Sequence, residues 1–178
     1  LRARGQLRHD TVVVTVMTNL GFRLAMSNAG IAVVDTAVGD RYVLEALAGG
    51  GFSLGGEQSG HVIFADHATT GDGILSAIAL LDAVQRADRP LADIAAATMT
   101  SLPQVLVNVR VAHRMPDAAD RLADEIAAAQ LDLGDSGRIL VRASGTEPLV
   151  RVMVEAPTHE QAQQVADGLA AAAQRLAT

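Results

Sequence analysis

Apolar positions along this chain recur in two rhythms, one suited to strands and one to helices. TVVVTVM (11–17) is an unbroken, largely β-branched run of the kind a strand buried on both faces carries, and NLGFRLAMSNAG (19–30) reads as a short helix that stops at Gly30. IAVVD (31–35) predicts a second strand and 39–48 a helix. FSL (52–54) and HVIFAD (61–66) predict two more strands, and a long helix is expected from Asp72 to about Ala87, capped by Asp72 or Thr70. Strands alternating with helices imply an α/β layer.

The rhythm breaks at TMTSLPQ (98–104), where a small-residue cluster leads into a proline, and a linker is expected there. Beyond it VLVNVRV (105–111) predicts a strand and DAADRLADEIAAAQ (117–130) a helix. RILVRA (138–143) and LVRVMVEA (149–156) predict two strands close together, and HEQAQQVADGLAAAAQRLA (159–177) a long amphipathic helix. This β-α-β-β-α order suggests an α+β sandwich with its helices on one sheet face. The expected division is 1–101 and 102–178. The chain opens on LRARGQ, which reads as the tail of a helix, and on Leu rather than Met, so a piece of a longer polypeptide is expected.

Composition narrows the chemistry. An apolar content of 49% in 178 residues can build a core, and no apolar stretch approaches the roughly 20 residues a membrane span needs. With no signal-peptide pattern at the N-terminus, the expected location is cytoplasmic. Cysteine is absent, which removes disulfides, thiolate metal sites and thiol redox chemistry. A formal charge of −6, three Phe, one Tyr and no Trp argue against nucleic acid or an anionic membrane as partner and favour a small molecule. All fourteen basic residues are arginine. Genomic base composition explains that, but it leaves no lysine for base or Schiff-base chemistry, so an anion site must use arginine, hydroxyls or backbone N–H groups.

Three stretches carry candidate chemistry. In RASGTEPLVR, Ser144 and Thr146 supply hydroxyls, Gly145 lets a ligand approach the backbone, and Arg142 and Arg151 add charge; guanidinium forks match the several acceptor oxygens of a phosphomonoester. The alternative is a hairpin loop with Ser/Thr turn chemistry and two surface arginines. In GGEQSGH, carboxylate Glu57 accepts from sugar hydroxyls and Ser59 both donates and accepts; the alternative is a flexible hairpin with a solvated Glu. His61 follows that turn and either lines the site or packs beside it. In DTAVGDRYV (35–43), loops at the carboxyl ends of strands are where α/β folds bind ligands, and Arg41 is the better ligand candidate, because Asp40 suits the start of a helix dipole. The glycine-rich stretch 48–64 fits neither nucleotide-binding pattern. The five histidines lack ligand spacing, so no metal site is expected.

Taken in order, TxVGDRYV, GGEQSGH with DHxTTGDGI, and RxSGTEPxxRVMVE resemble the C-terminal half of the α-D-phosphohexomutase superfamily, from about Thr11 to the end of the chain. The resemblance implies a partial third domain over 1–101, α/β with a mixed sheet and a sugar-binding loop. It implies a fourth domain over 102–178, α+β, with a phosphate-binding loop. It further implies that Glu57 and Ser59 contact adjacent ring hydroxyls, with Arg41 and His61 nearby, while Arg142, Ser144, Gly145, Thr146 and Arg151 hold the phosphate not undergoing transfer. Within the superfamily the pattern is similar to bacterial members that interconvert glucosamine 6-phosphate and glucosamine 1-phosphate, an isomerisation serving peptidoglycan precursors. They use Mg²⁺ and a glucosamine 1,6-bisphosphate intermediate that turns over in the site.

The departures from the family pattern set the remaining expectations. No counterpart of the family's phosphoserine loop or its Asp-rich Mg²⁺ loop is present, so no catalytic residue is expected in this chain, and alone it is expected to be inactive. Its partners are expected to be a phosphosugar and the N-terminal domains of the same polypeptide. A phosphomannomutase or phosphoglucomutase fragment, and a non-catalytic phosphosugar-binding module, are the alternative readings.

Overall fold

The structure is a computed structural model that describes residues 1–176, in two compact units, Leu1–Thr100 and the segment from Ser101 onward. In the first unit, β1 (Thr11–Thr15) is followed by α1 (Leu20–Asn28), β2 (Ala32–Thr36), α2 (Asp40–Gly50), β3 (Leu54–Gly56), β4 (Val62–Phe64), α3 (Gly73–Ala87) and α4 (Leu91–Thr98). The sheet order is β2-β1-β3-β4, with β1 parallel to β2 and β3 and β4 antiparallel to β3. The mixed sheet expected from the resemblance is present.

All five residues of β1 are buried, as a β-branched run between two parallel neighbours requires. Val13 packs with Val43 and Leu47 of α2 and with Ile63 of β4. Gly55 permits this contact: a Cβ there would lie 2.8 Å from Val43 Cγ1 and 3.0 Å from the Val13 carbonyl oxygen. The strand ends at Thr15 rather than Met17, because Thr18 N donates to Thr15 O in a turn. Asp72 caps α3 by accepting from Ile74 N and Leu75 N at 2.8 and 2.9 Å, one of the two caps anticipated. On α3, Ile74, Ile78 and Leu81 are solvent-exposed.

LRARGQ forms a 3₁₀ turn, Arg2–Arg4, closed by Gly5 in the left-handed region, with Arg4 paired to Asp82 of α3 at 2.9 Å. One expectation fails here. The helix α4, absent from the sequence reading, starts directly after Pro90 at its N-cap, and it buries no residue.

The second unit contains β5 (Gln104–Arg110), α5 (Ala118–Arg121), α6 (Ala123–Leu133), β6 (Arg138–Ala143), β7 (Leu149–Glu155) and α7 (His159–Leu176). Its sheet is antiparallel in the order β5-β7-β6, so β7 is central, and Val150, Val152 and Val154 are fully buried. The helix α7 buries Ala162, Ala166, Leu169, Ala172 and Ala173, the i, i+4, i+7 stripe of an amphipathic helix. The single helix expected over 117–130 is two, divided at buried Leu122 (φ −107, ψ 14), and the second runs on to Leu133 until Gly134 (φ 56) ends it. Ala177, expected in the last helix, lies outside the described residues.

Candidate functional site

Each unit carries one polar loop of interest. In the first, the carboxyl ends of the parallel strands converge, as they do in open α/β sheets that bind ligands. Thr15 at the end of β1, Met17, Val38 after β2, and Glu57, Gln58 and Ser59 after β3 line a cavity of about 310 Å³. The GEQSG stretch is a tight hairpin between β3 and β4. Glu57 N donates to His61 O (2.9 Å), Gly60 N donates to Glu57 O (3.1 Å), and Gly60 has φ 95, a conformation glycine adopts without strain.

The hairpin is tied to the start of α2. Gly39 N donates to Glu57 Oε1 at 2.8 Å, so the carboxylate serves the positive end of that helix. Ser59 Oγ donates to Glu57 Oε2 at 3.5 Å. His61 Nδ1 lies 2.6 Å from Asp40 Oδ2, and the ligand atoms of Asp40, Glu57 and His61 all lie within 4.8 Å of one another. The Asp40 carboxyl is held below the usual carboxylate range, above all by its hydrogen bond with His61. The same hydrogen bond and the Asp40 charge push the His61 imidazole above its ordinary value.

Glu57, Ser59 and His61 are thus brought together, and Arg41 is not with them: its guanidinium meets Glu45 one turn along α2 at 2.7 Å, with the side chain 80% exposed. The residue the sequence reading passed over is Asp40. A signal for it was available. Asp40, Val43 and Leu47 fall at i, i+3 and i+7, so the apolar pair that anchors α2 also turns Asp40 inward, while Arg41 at i+1 faces away.

The second loop joins β6 to β7. Arg142 and Arg151 stand directly opposite each other in the antiparallel register, with Asn108 of β5 opposite Arg151 on its other side. Because Val150 and Val152 point into the core, Arg151 points to the other face of the sheet. Arg142 is pushed down from its ordinary value by burial first and by the Arg151 charge second, although a guanidinium stays charged. Neither arginine has an acidic partner among the described residues, and Arg151 Nε is buried without a hydrogen-bond acceptor. Ser144 is buried; its N donates to Leu149 O at 2.8 Å and its Oγ accepts from Glu147 N at 3.3 Å, which fixes the turn. Gly145 and Thr146 are exposed at its tip, and a Cβ on Gly145 would meet nothing within 4 Å, so the backbone there is open to a ligand.

An α/β unit with a polar hairpin at its strand ends is followed by an α+β unit with an arginine-flanked turn. The family model described as phosphoglucomutase/phosphomannomutase, alpha/beta/alpha domain III matches residues 1–102, and the C-terminal domain of the same family matches 106–172. The chain belongs to the phosphoglucomutase/phosphomannomutase family. It is 60% identical over 172 residues to the phosphoglucosamine mutase of Frankia alni, which covers 96% of this chain and 38% of that protein, and 59% identical over 165 residues to that of Thermobifida fusca, covering 92% and 36%. The chain therefore spans under two fifths of the length of these curated relatives. Among solved structures it resembles Aspergillus fumigatus N-acetylphosphoglucosamine mutase in complex with GlcNAc-6P and magnesium, with TM-score 0.81, 24% identity, and coverage of 99% of this chain and 41% of that one. It also resembles an N-acetylglucosamine-phosphate mutase in a substrate complex, with TM-score 0.72, 25% identity, and coverage of 91% and 38%. Among the described residues no helix is long and apolar enough to cross a membrane.

Proposed function

We propose that the chain is the substrate-recognition part of a cytoplasmic phosphoglucosamine mutase, which interconverts glucosamine 6-phosphate and glucosamine 1-phosphate through a bisphosphorylated sugar. Glu57 and Ser59 take ring hydroxyls, with His61 beside them, and Arg142, Ser144, Gly145, Thr146 and Arg151 take the phosphate that is not being transferred. The observation that carries this reading is the pair of facing arginines without an acidic partner among the described residues, one of them with a buried, unmatched N–H. A phosphate oxygen array satisfies two such forks at once. High identity to phosphoglucosamine mutases supports the amino-sugar substrate over a plain hexose phosphate.

Recognition needs no chemistry from this chain beyond hydrogen bonding. Turning the sugar end for end roughly exchanges neighbouring ring hydroxyls, and a Glu/Ser pair accepts and donates to either. Phosphoryl transfer needs a nucleophile and cation stabilisation of developing charge, and Mg²⁺ would supply the latter. Mg²⁺ takes oxygen ligands in octahedral geometry, which Asp40, Glu57 and His61 do not fit: the imidazole nitrogen is engaged with Asp40, and a Glu57 oxygen with Gly39 N. The nucleophile and the Mg²⁺ site are assigned to the part of the longer relatives that this chain does not span. Arg41, at the start of α2, meets Glu45 in an exposed pair that a ligand can replace, so it is kept as a candidate contact for the sugar phosphate.

Calorimetric titration with two ligands tests the assignment. Arg142→Ala should weaken both inorganic phosphate and glucosamine 6-phosphate by roughly ten- to a hundredfold, the loss of a charge-assisted contact. Glu57→Ala should weaken only the sugar phosphate. If Arg142→Ala binds inorganic phosphate as the parent does, the loop is a hairpin turn and no phosphate site.

A further inference from the structure

The carboxylate at the start of α2 and the imidazole at the start of β4 form a pair that the sugar-loop assignment does not use. We infer that Asp40 is a positioning residue for His61: it accepts from Nδ1 and so dedicates Nε2 to the phosphosugar, as a donor to one of its acceptor oxygens while the ring is charged. This rests on the reading of the Glu57–His61 hairpin as the sugar-binding loop, and it adds the residue that orients one of its side chains.

The geometry makes Asp40 the only anchored side of the pair. Its backbone belongs to α2, which is fixed to the sheet through fully buried Val43 and nearly buried Leu47. His61, by contrast, directly precedes the three-residue edge strand β4, and its side chain is 59% exposed. An exposed imidazole left alone samples several rotamers and two tautomers. A carboxylate oxygen 2.6 Å from Nδ1 selects the tautomer that carries its proton there. Among the described residues Nε2 makes no hydrogen bond.

Charge acts in the same direction as geometry. The charged groups that face the ring are Asp40 from α2 and Glu57 from the hairpin, both acidic, and Gly71 before α3 lies against it, with its Cβ position 3.4 Å from His61 Cβ. Arg41, the nearest cation in sequence, is turned to Glu45, and Asp72 is committed to capping α3. Both facing groups favour the imidazolium, whose free Nε2–H can only donate. Such a donor fits a phosphate oxygen or a ring hydroxyl and disfavours the ammonium of an amino sugar. It thereby orients the sugar with its amino group away from His61.

The test reads the ring itself. In ¹⁵N-resolved NMR titrations of the ligand-free chain, the parent His61 should titrate above the ordinary histidine range and, once neutral, keep its proton on Nδ1. Asp40→Asn should move the titration down and abolish the tautomer preference, and Asp40→Glu should restore both in part. An unchanged His61 titration and tautomer in a folded Asp40→Asn protein would overturn the inference, leaving Asp40 as a helix-dipole residue only. Glucosamine 6-phosphate affinity is the second measurement. Near neutral pH, Asp40→Asn should lose roughly three- to tenfold with inorganic phosphate binding unchanged, and equal affinity in parent and variant would overturn the role of the oriented Nε2. Failure of the parent to bind the sugar phosphate at all would refute the functional reading, while the ligand-free titration would still decide whether Asp40 orients His61.

Discussion

Replacing Arg142 by Gln should make the protein more stable and a weaker phosphate binder, and the opposite signs follow from the register. Arg142 and Arg151 are directly opposed on adjacent antiparallel strands, where like charges destabilise by roughly 0.2–1 kcal/mol relative to a neutral pair. Both are partly buried, so solvent screens the repulsion less than at an open surface, and burial together with the Arg151 charge already pushes the Arg142 guanidinium down. Glutamine retains much of the apolar stem and a hydrogen-bonding head, which limits lost packing. The expected gain is a few tenths to about 1 kcal/mol, a rise of about 1–6 °C in Tm for a unit of this size. Phosphate should reverse the order. At a hundred times its Kd a ligand adds about 2.7 kcal/mol to the parent, and far less to a variant that binds ten- to a hundredfold more weakly. Thermal unfolding followed by circular dichroism, with and without phosphate, gives all four numbers. A variant that is less stable than the parent without phosphate, combined with a parent that phosphate does not stabilise, would show that the two arginines serve the fold and refute the argument.

Gly55→Ala should destabilise the first unit by about 1–3 kcal/mol in denaturant unfolding, because its Cβ would overlap Val43 Cγ1 and the Val13 carbonyl where α2 closes on the sheet. Glu57→Ala should cost about 1 kcal/mol of stability as well as sugar recognition, since its carboxylate accepts from Gly39 N ahead of α2. The Asp40–His61 pair predicts a stability window in pH. The raised imidazole contributes fully below its ordinary value of 6.5 and loses that contribution as pH rises through the higher folded value, while the lowered carboxyl contributes above 3.8 and loses it as pH falls through the lower folded value. Midpoints of urea unfolding across that range should show the window in the parent and a flatter profile in Asp40→Asn.

The fold was legible wherever one local signal dominated. The β-branched run gave β1, the valines of β7 gave a strand, and the alanine stripe gave α7, each because burial sets the period. Boundaries slipped where a single hydrogen bond or dihedral decides them, as at Thr15, Leu122 and Gly134. The helix α4 was missed because it has no buried face to create a period; only Pro90 and a run of good helix formers mark it. In the first loop, the choice of Arg41 over Asp40 weighed residue chemistry without the phase of α2, although Val43 and Leu47 fix that phase.

For both loops the sequence offered a hairpin turn or a ligand site as alternatives, and the structure removes the opposition. GEQSG and SGTEP are both turns between antiparallel strands, with their hydroxyls and carboxylate partly used to hold the turn. What separates a turn from a candidate site is the balance of charge and hydrogen bonds that remains. Glu57 finds partners for both oxygens inside the protein, so its loop is complete without a ligand, and recognition there must come from exchanging existing bonds. Arg142 and Arg151 have no such partners, and their proximity costs stability that no contact in the described residues returns. Facing arginines on neighbouring strands are an arrangement that a bound anion would offset, and for that reason the proposed phosphate assignment rests on the second loop and the proposed sugar assignment follows from it.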